Sequence, residues 1–381
     1  MILKLITLRN FRNFAQKEIF FSADRNLIVG PNAVGKTNIL EAVYLLATGK
    51  SFRVKGVESE MICYGEEVAD AEGLLGSGEN LKIILTRGVV MGEKVAKKKY
   101  LVNGVSKRAV DFVGRLRAVY FGPEDLELIL GSPSIRRKYL DNVLSQVDKE
   151  YARASLSYEK GLKTRNRILE EIREARAQAE VSGLLKYNQE TERKKLYFWD
   201  QLLIKNGNLI TAKREEFINF LNANSTLLIC KMNSATVPCF QIEYDRSPIS
   251  LERLAQYEKE EVAAASTLVG PHRDDFKVRM LKNGEKLAEE VGAGRDLAVF
   301  GSRGEQRLAV LWLKLGELKF IREKTQEPLV LLLDDIFSEL DVSHRKMVLD
   351  VVGEQQTIIT TADLGMVEKE WLSGVKLIKL P

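Results

Sequence analysis

Histidine and cysteine are scarce in this chain, at 2 and 3 among 381 residues. Cys63, Cys230 and Cys239 are odd in number and lack Cys-x-x-Cys spacing, which speaks against a disulfide framework and a zinc site. Two histidines, His272 and His344, are too few for a transition-metal centre, so any metal is expected to be magnesium. No uncharged apolar run reaches the roughly 18 residues that a membrane helix needs. The opening Met1-Ile2-Leu3-Lys4 shows no signal-peptide pattern, and the expectation is a soluble, cytoplasmic protein without membrane contact. Repeats and low-complexity tracts are also absent.

What the chain does have is 45% apolar residues, enough at this length for a sizeable core and for two or three domains. Three regions follow one another. Residues 1–123 carry short apolar or alternating segments such as Leu81 to Thr86 and Leu116 to Phe121, which read as strands. Residues 124–235 are long, charged and helical in pattern up to about Ala223, and residues 236–381 return to strands. The fold class expected is α/β, with a helical second lobe.

Gly30-Pro31-Asn32-Ala33-Val34-Gly35-Lys36-Thr37 reads Gly-x-x-x-x-Gly-Lys-Thr, a nucleoside-triphosphate loop. Its context fits. Leu27-Ile28-Val29 makes a short buried strand, then Ile39, Leu40, Val43, Leu46 and Ala47 recur at helical spacing until Gly49 can close the last turn. In such a loop the glycines let backbone N–H groups curl around phosphates, Lys36 reaches the β and γ oxygens, and the Thr37 hydroxyl ligates magnesium. An ordinary Gly-rich turn needs neither the strand nor Lys-Thr at the helix start.

A second motif, Leu329 to Leu333 followed by Asp334-Asp335, is a buried strand ending in two carboxylates. Asp334 is placed as the magnesium-side carboxylate, and Asp335 as the catalytic group that polarises the attacking water beside Lys36. A third, Ser302-Arg303-Gly304-Glu305-Gln306, is a capping box before the apolar periodicity of Leu308, Val310, Leu311 and Leu315. A capped helix start also offers free N–H groups and a positive dipole end to a phosphate. Net charge is only +5, but Lys94, Lys97, Lys98, Lys99, Lys107 and Arg108 flank a hairpin turn expected at Asn103-Gly104. Arg136, Arg137 and Lys138 form another group, as do Lys163, Arg165 and Arg167; all suit a duplex backbone or a plain solvated face.

The order of phosphate loop, Ser-x-Gly-x-Gln and paired carboxylates resembles an ABC-type, SMC-like ATPase head without a long coiled coil. That resemblance implies that Ser302, Gly304 and Gln306 face the nucleotide of a second subunit, so that two chains sandwich two ATP molecules. Ser338-Glu339-Leu340-Asp341 resembles the loop along such an interface, and Arg12 stands where related heads bring an arginine to the nucleotide. Thr361 replaces the switch histidine of many ABC ATPases and Asp335 their glutamate, so hydrolysis is expected to be slow, with ATP a clamp more than a fuel.

The stretch from Pro123 to Asp141, the segment Thr267 to Asp275 and Leu8-Arg9-Asn10-Phe11-Arg12-Asn13-Phe14 resemble segments of the RecF proteins, and the likeness spans almost the whole chain. It implies an ATP-dependent DNA-binding clamp of recombination, replication restart, DNA repair and the SOS response. Such a clamp dimerises on double-stranded DNA or single-strand/double-strand junctions, works with RecR and indirectly RecO, and is a weak DNA-stimulated ATPase. Other readings are a transporter ATPase subunit, an SMC-type head and a small-molecule kinase. The charged helical region, the lack of heptad arms and the Ser302 to Gln306 motif speak against them in turn.

Overall fold

Alternation of apolar and polar residues in the first third produces strands with one buried face. The computed structural model describes residues 2–53, 57–182, 189–225, 239–281, 294–336, 355–367 and 372–381. Its first strands are β1 (Leu3–Phe11), β2 (Phe14–Phe20) and β3 (Arg25–Val29), followed by helix α1 (Lys36–Thr48). Then come β4 (Val68–Leu75), β5 (Asn80–Thr86), β6 (Lys98–Val102), β7 (Val105–Lys107) and β8 (Ala118–Phe121). In β4 and β5 every second side chain is buried. These strands, without β3 and β8, make an antiparallel sheet in the order β2-β1-β4-β5-β6-β7. Asn103 and Gly104, with φ of 50° and 77°, turn β6 into β7, as a two-residue hairpin with positive φ at both positions requires.

The second sheet draws on both ends of the chain. It runs β8-β12-β13-β3-β14, with β12 (Val330–Leu333), β13 (Gln356–Thr361) and β14 (Lys376–Lys379), all parallel. Parallel strands buried on both faces read as continuous apolar runs, and β12 is 0–5% exposed at each residue. Each such side chain contributes about 1.5–3 kcal/mol by leaving water. Successive residues serve different cores: Ile28, Val330, Leu332 and Ile358 join α1 and the antiparallel sheet, while Leu27, Leu331, Leu333 and Ile359 join the helices.

Those helices are α2 (Pro133–Val147), α3 (Lys149–Ser182), α4 (Gln189–Ala223) and α5 (Arg303–Thr325). A three-stranded antiparallel sheet of β9 (Cys239–Asp245), β10 (Asp275–Leu281) and β11 (Arg295–Asp296) lies against them. The Asn222 side chain of α4 donates to the Ile242 carbonyl at 3.0 Å and accepts from its N–H at 2.7 Å. Phe240 and Phe276 share a core with Phe217 and Trp312. Residues 239–245 and 275–281 thus pack with the helical layer, within the part from 236 onward expected to complete the ATPase head. That boundary itself lies outside the described residues.

Candidate functional site

The phosphate loop joins β3 to α1 in a conformation that few residues tolerate. Gly35 has φ 107°, and a Cβ there would lie 2.6 Å from the Phe14 ring and 2.7 Å from Asn13 Oδ1. Asn13 supports the loop from the turn after β1: its Nδ2 donates to the Val34 carbonyl at 2.9 Å, and its Oδ1 accepts from Asn38 at 2.8 Å. Lys36, 8% exposed, donates from Nζ to the carbonyls of Gly30 at 2.7 Å and Pro31 at 2.8 Å. Gly49 ends α1 with φ 70°, its N–H donating to the Leu45 carbonyl at 2.8 Å.

Parallel pairing brings the carboxylates to this loop. Because β13 lies between β12 and β3 and all three are parallel, their ends open onto the same edge, where ligands sit in open α/β sheets. Thr37 Oγ1 donates to Asp334 Oδ1 at 3.0 Å, although the two residues lie 297 apart in sequence. Thr360 Oγ1 donates to the same oxygen at 2.6 Å, and the Tyr120 hydroxyl lies 3.3 Å from Oδ2 and 2.7 Å from Glu124 Oε2. Burial pushes the Asp334 carboxyl pKa up and nearby Glu124 adds to the rise, against the bonds from Thr360 and Thr37. Asp335 has φ 49°, a strained setting held by its N–H donating to Thr360 Oγ1 at 3.0 Å. Thr361, fully buried, pairs in register with Val29 and bonds to the Asp363 carbonyl, beside the start of the loop. Tyr120, Glu124, Thr360 and Asn13 escape a reading of the sequence because nothing local separates them from other strand-end residues.

The N-terminus of α5 stands apart from this cluster. Ser302 caps it reciprocally with Glu305, accepting from the Glu305 N–H at 3.3 Å while Glu305 Oε2 accepts from the Ser302 N–H at 2.8 Å. Ser302, Arg303 and Gly304 are exposed, with open space around Gly304. Val299 and Phe300 just before them are 68% and 66% exposed. Gln306 departs from expectation: its amide is buried and donates to the carbonyls of Leu297 at 2.9 Å and Gly301 at 3.2 Å. It fixes the turn before α5 and does not face outward. Ser338 to Asp341 lie outside the described residues.

Several of the expected basic residues are engaged within the fold. Arg12 is one of them: its Nε and Nη2 fork onto Glu41 at 2.8 and 2.7 Å, a carboxylate with no exposure that demands a cation. Lys98 is claimed by Glu58 and the Gly49 carbonyl, and burial lowers its pKa. Arg136, 9% exposed, forks onto Asp275 at 2.6 and 2.9 Å, and Arg137 donates to the Asp274 carbonyl at 2.8 Å. Arg136 is thus a bound cation, whereas Arg137 makes its one hydrogen bond among the described residues through Nη1. Lys97, Lys99, Lys107 and Arg108 are exposed at the β6–β7 edge, Arg108 being paired with Asp111.

His272 is a packed histidine. Its Nε2 donates to the Thr267 carbonyl at 2.9 Å, so its Nδ1 accepts from the Tyr158 hydroxyl at 2.8 Å when the ring is neutral. Burial, then the Arg273, Arg137 and Arg165 charges, lower its pKa to about 4. In an unfolded chain it titrates near 6.5, so below that pH the unfolded state binds the proton first and stability falls until about pH 4. The expected loss is up to about 3 kcal/mol. Urea melts at neutral pH and in acid should show His272→Gln losing less stability on acidification than the parent; equal losses would refute this.

A phosphate loop whose helix hydroxyl meets the first of two strand-end carboxylates, in a parallel sheet backed by an antiparallel one, defines an ABC-type ATPase head. A family model described as the RecF/RecN/SMC N terminal domain matches residues 2–379. The chain belongs to the RecF family. A protein called DNA replication and repair protein RecF from Gloeothece citriformis is 32% identical over 399 residues, covering 100% of this chain and 98% of its own. One of the same name from Lachnoclostridium phytofermentans is 34% identical over 368 residues, covering 96% and 93%. A solved structure of the recombination mediator protein RecF-ATP in the RecFOR pathway superposes with a TM-score of 0.80 at 32% identity, over 96% of this chain and 93% of that one.

Proposed function

We propose that this chain binds ATP and magnesium at the Gly30 to Thr37 loop and closes with a second copy on double-stranded DNA or at single-strand/double-strand junctions. It then hydrolyses ATP slowly, as a weak DNA-stimulated ATPase. The observation that carries this reading is the 3.0 Å contact of Thr37 Oγ1 with Asp334 Oδ1, which joins the two halves of a triphosphate site from opposite ends of the chain. The relative solved as RecF-ATP supports it. Two hard oxygen donors side by side, one on a carboxylate that burial leaves short of positive charge, fit magnesium, which when bound neutralises phosphate charge. Lys36 supplies a cation already over the loop, and in this reading the Asp335 carboxylate orients the attacking water.

The exposed start of α5, with Ser302 and Gly304 beside Val299 and Phe300, suits a second copy, its dipole end meeting that copy's phosphates. Lys97, Lys99, Lys107 and Arg108 suit the DNA backbone. In the cell the reaction would serve recombinational repair and replication restart, aiding recombinase loading onto single-stranded DNA with RecR and RecO as partners. Sedimentation with and without ATP and a short duplex tests this. The expected result is a monomer that becomes a dimer only with ATP, more completely with duplex, while turnover stays slow. A monomer under all conditions, or fast turnover without DNA, would overturn it.

A further inference from the structure

The two segments from Pro123 to Asp141 and Thr267 to Asp275 contribute little to the triphosphate site, yet the fold brings them together. Arg136 bridges them through Asp275, and Arg214 of α4, 4% exposed, locks the junction. Arg214 donates to Asp141 at 2.8 Å, to Asp274 at 2.8 Å and to the Pro271 carbonyl at 2.7 Å. Beside this junction lies a cleft of about 200 Å³, whose lining includes Lys50, Arg137, Arg214 and His272 together with the carboxylates Asp141 and Glu159.

Its carboxylates are already engaged. Asp141 is held by Arg214 and the Tyr151 hydroxyl, and Asp274 by Arg214, Tyr244 and the Ser247 N–H. Glu159 at the rim pairs with Lys163. The cations feel these carboxylates, Lys50 that of Asp141 and Arg137 those of Asp141, Asp274 and Asp275, but their hydrogen bonds are few. Among the described residues Arg137 uses only Nη1, on a backbone carbonyl, and the Lys50 ammonium is exposed and makes no hydrogen bond. Burial lowers the pKa of Arg137 and the neighbouring charge of Arg214 adds to that, against the charges of Asp275, Asp141 and Asp274. A guanidinium with Nε and Nη2 available in a walled cleft is a fork for two oxyanion oxygens.

We propose that this cleft binds a phosphate group, gripped by Arg137 and Lys50. Lys50 directly follows the Gly49 that ends α1, and its backbone is pinned by Thr48 Oγ1, at 3.0 Å to the carbonyl and 3.2 Å to the N–H. A phosphate seated here therefore ties the end of the phosphate-loop helix to the helical layer, and couples occupancy of the cleft to the nucleotide site. Free phosphate and the backbone of DNA share this chemistry. Assigning the group to DNA rests on the proposed DNA-binding function; the cleft itself does not.

The test uses the full chain, Lys50→Gln and Arg137→Gln, with inorganic phosphate and a short duplex as probes and the circular dichroism spectrum as the check on folding. Inorganic phosphate, compared with chloride at equal ionic strength, is expected to raise the melting temperature of the parent and not of either variant. Duplex affinity at low salt is expected to fall about tenfold in each variant, with a salt slope shallower by about one. A phosphate effect lost in the variants while duplex affinity is unchanged would keep the site and assign it to free phosphate. A parent that responds to phosphate but binds no duplex would keep the site and overturn the DNA-binding function. If Lys50→Gln matches the parent with both probes, the site is refuted, and this holds even if Arg137→Gln fails to fold.

Discussion

Lys36→Met is expected to weaken ATP binding about a hundredfold or more while leaving the chain folded. The Lys36 ammonium is 8% exposed and rests on two loop carbonyls, Gly30 at 2.7 Å and Pro31 at 2.8 Å. Its aliphatic stem packs at the start of α1, a helix whose buried residues run from Ile39 to Thr48, and a Met side chain keeps that volume. What Met removes is the charge. A hydrogen bond to a charged group contributes about 1.5–3 kcal/mol, and a triphosphate would engage this cation with more than one oxygen. A loss near 3 kcal/mol corresponds to about a 150-fold weaker complex. Calorimetric titration with ATP reads the affinity, and the thermal melt without nucleotide reads the fold. An unchanged affinity in a folded variant would mean that the loop does not seat the phosphates through this lysine.

The parts of this site that the sequence displays are those whose cause is local. Leu27 to Val29 must be a buried strand, Gly35 must tolerate φ 107°, and Ser302 with Glu305 must cap a helix, because each requirement is met within a few neighbouring residues. The run Leu329 to Leu333 announces a parallel strand in the same way, and β12 is an interior strand of the parallel sheet, between β8 and β13. The basic residues fail this test. Arg12, Lys98 and Arg136 look like free cations in the sequence, but their carboxylates lie 29, 40 and 139 residues away. An arginine that closes a buried ion pair and one that waits for DNA have the same local surroundings, and only the tertiary fold separates them. Gln306 failed for a related reason: it lies one residue beyond the capping box, and the direction of its amide depends on carbonyls in the preceding turn.

The same distinction explains why the carboxylate pair was legible and its supports were not. Asp334 ends an apolar strand, which is a pattern. Thr360 and Tyr120 are the last or nearly last residues of two neighbouring strands, and they matter only because β8 and β13 flank β12 in the sheet. Strand order is a long-range property. Without it, Thr360 is one of two adjacent threonines with no mark of its role.

Ser302→Arg is expected to abolish ATP-driven dimerisation while ATP binding by the monomer stays close to that of the parent. The hydroxyl it removes caps α5, and losing such a cap costs about 1 kcal/mol. That is small for a 23-residue helix buried along one side by Leu308, Leu311, Trp312, Phe320 and Ile321, so the monomer should fold. The triphosphate loop, with Lys36, Thr37 and Asp334, draws nothing from this helix end. A second copy would lose much more. Arginine places a long cation in the open space around Gly304, between the phosphates and the exposed Val299 and Phe300 that would face the partner. A penalty of about 3 kcal/mol raises the dimer dissociation constant more than a hundredfold. Ser302→Ala isolates the cause, because it removes the cap without adding bulk or charge, and it should still dimerise with ATP. If sedimentation with ATP and duplex shows Ser302→Arg dimerising like the parent, the start of α5 is not part of the interface. If Ser302→Ala fails together with Ser302→Arg while both bind ATP, the hydroxyl itself, acting on the partner's nucleotide, is what closes the dimer.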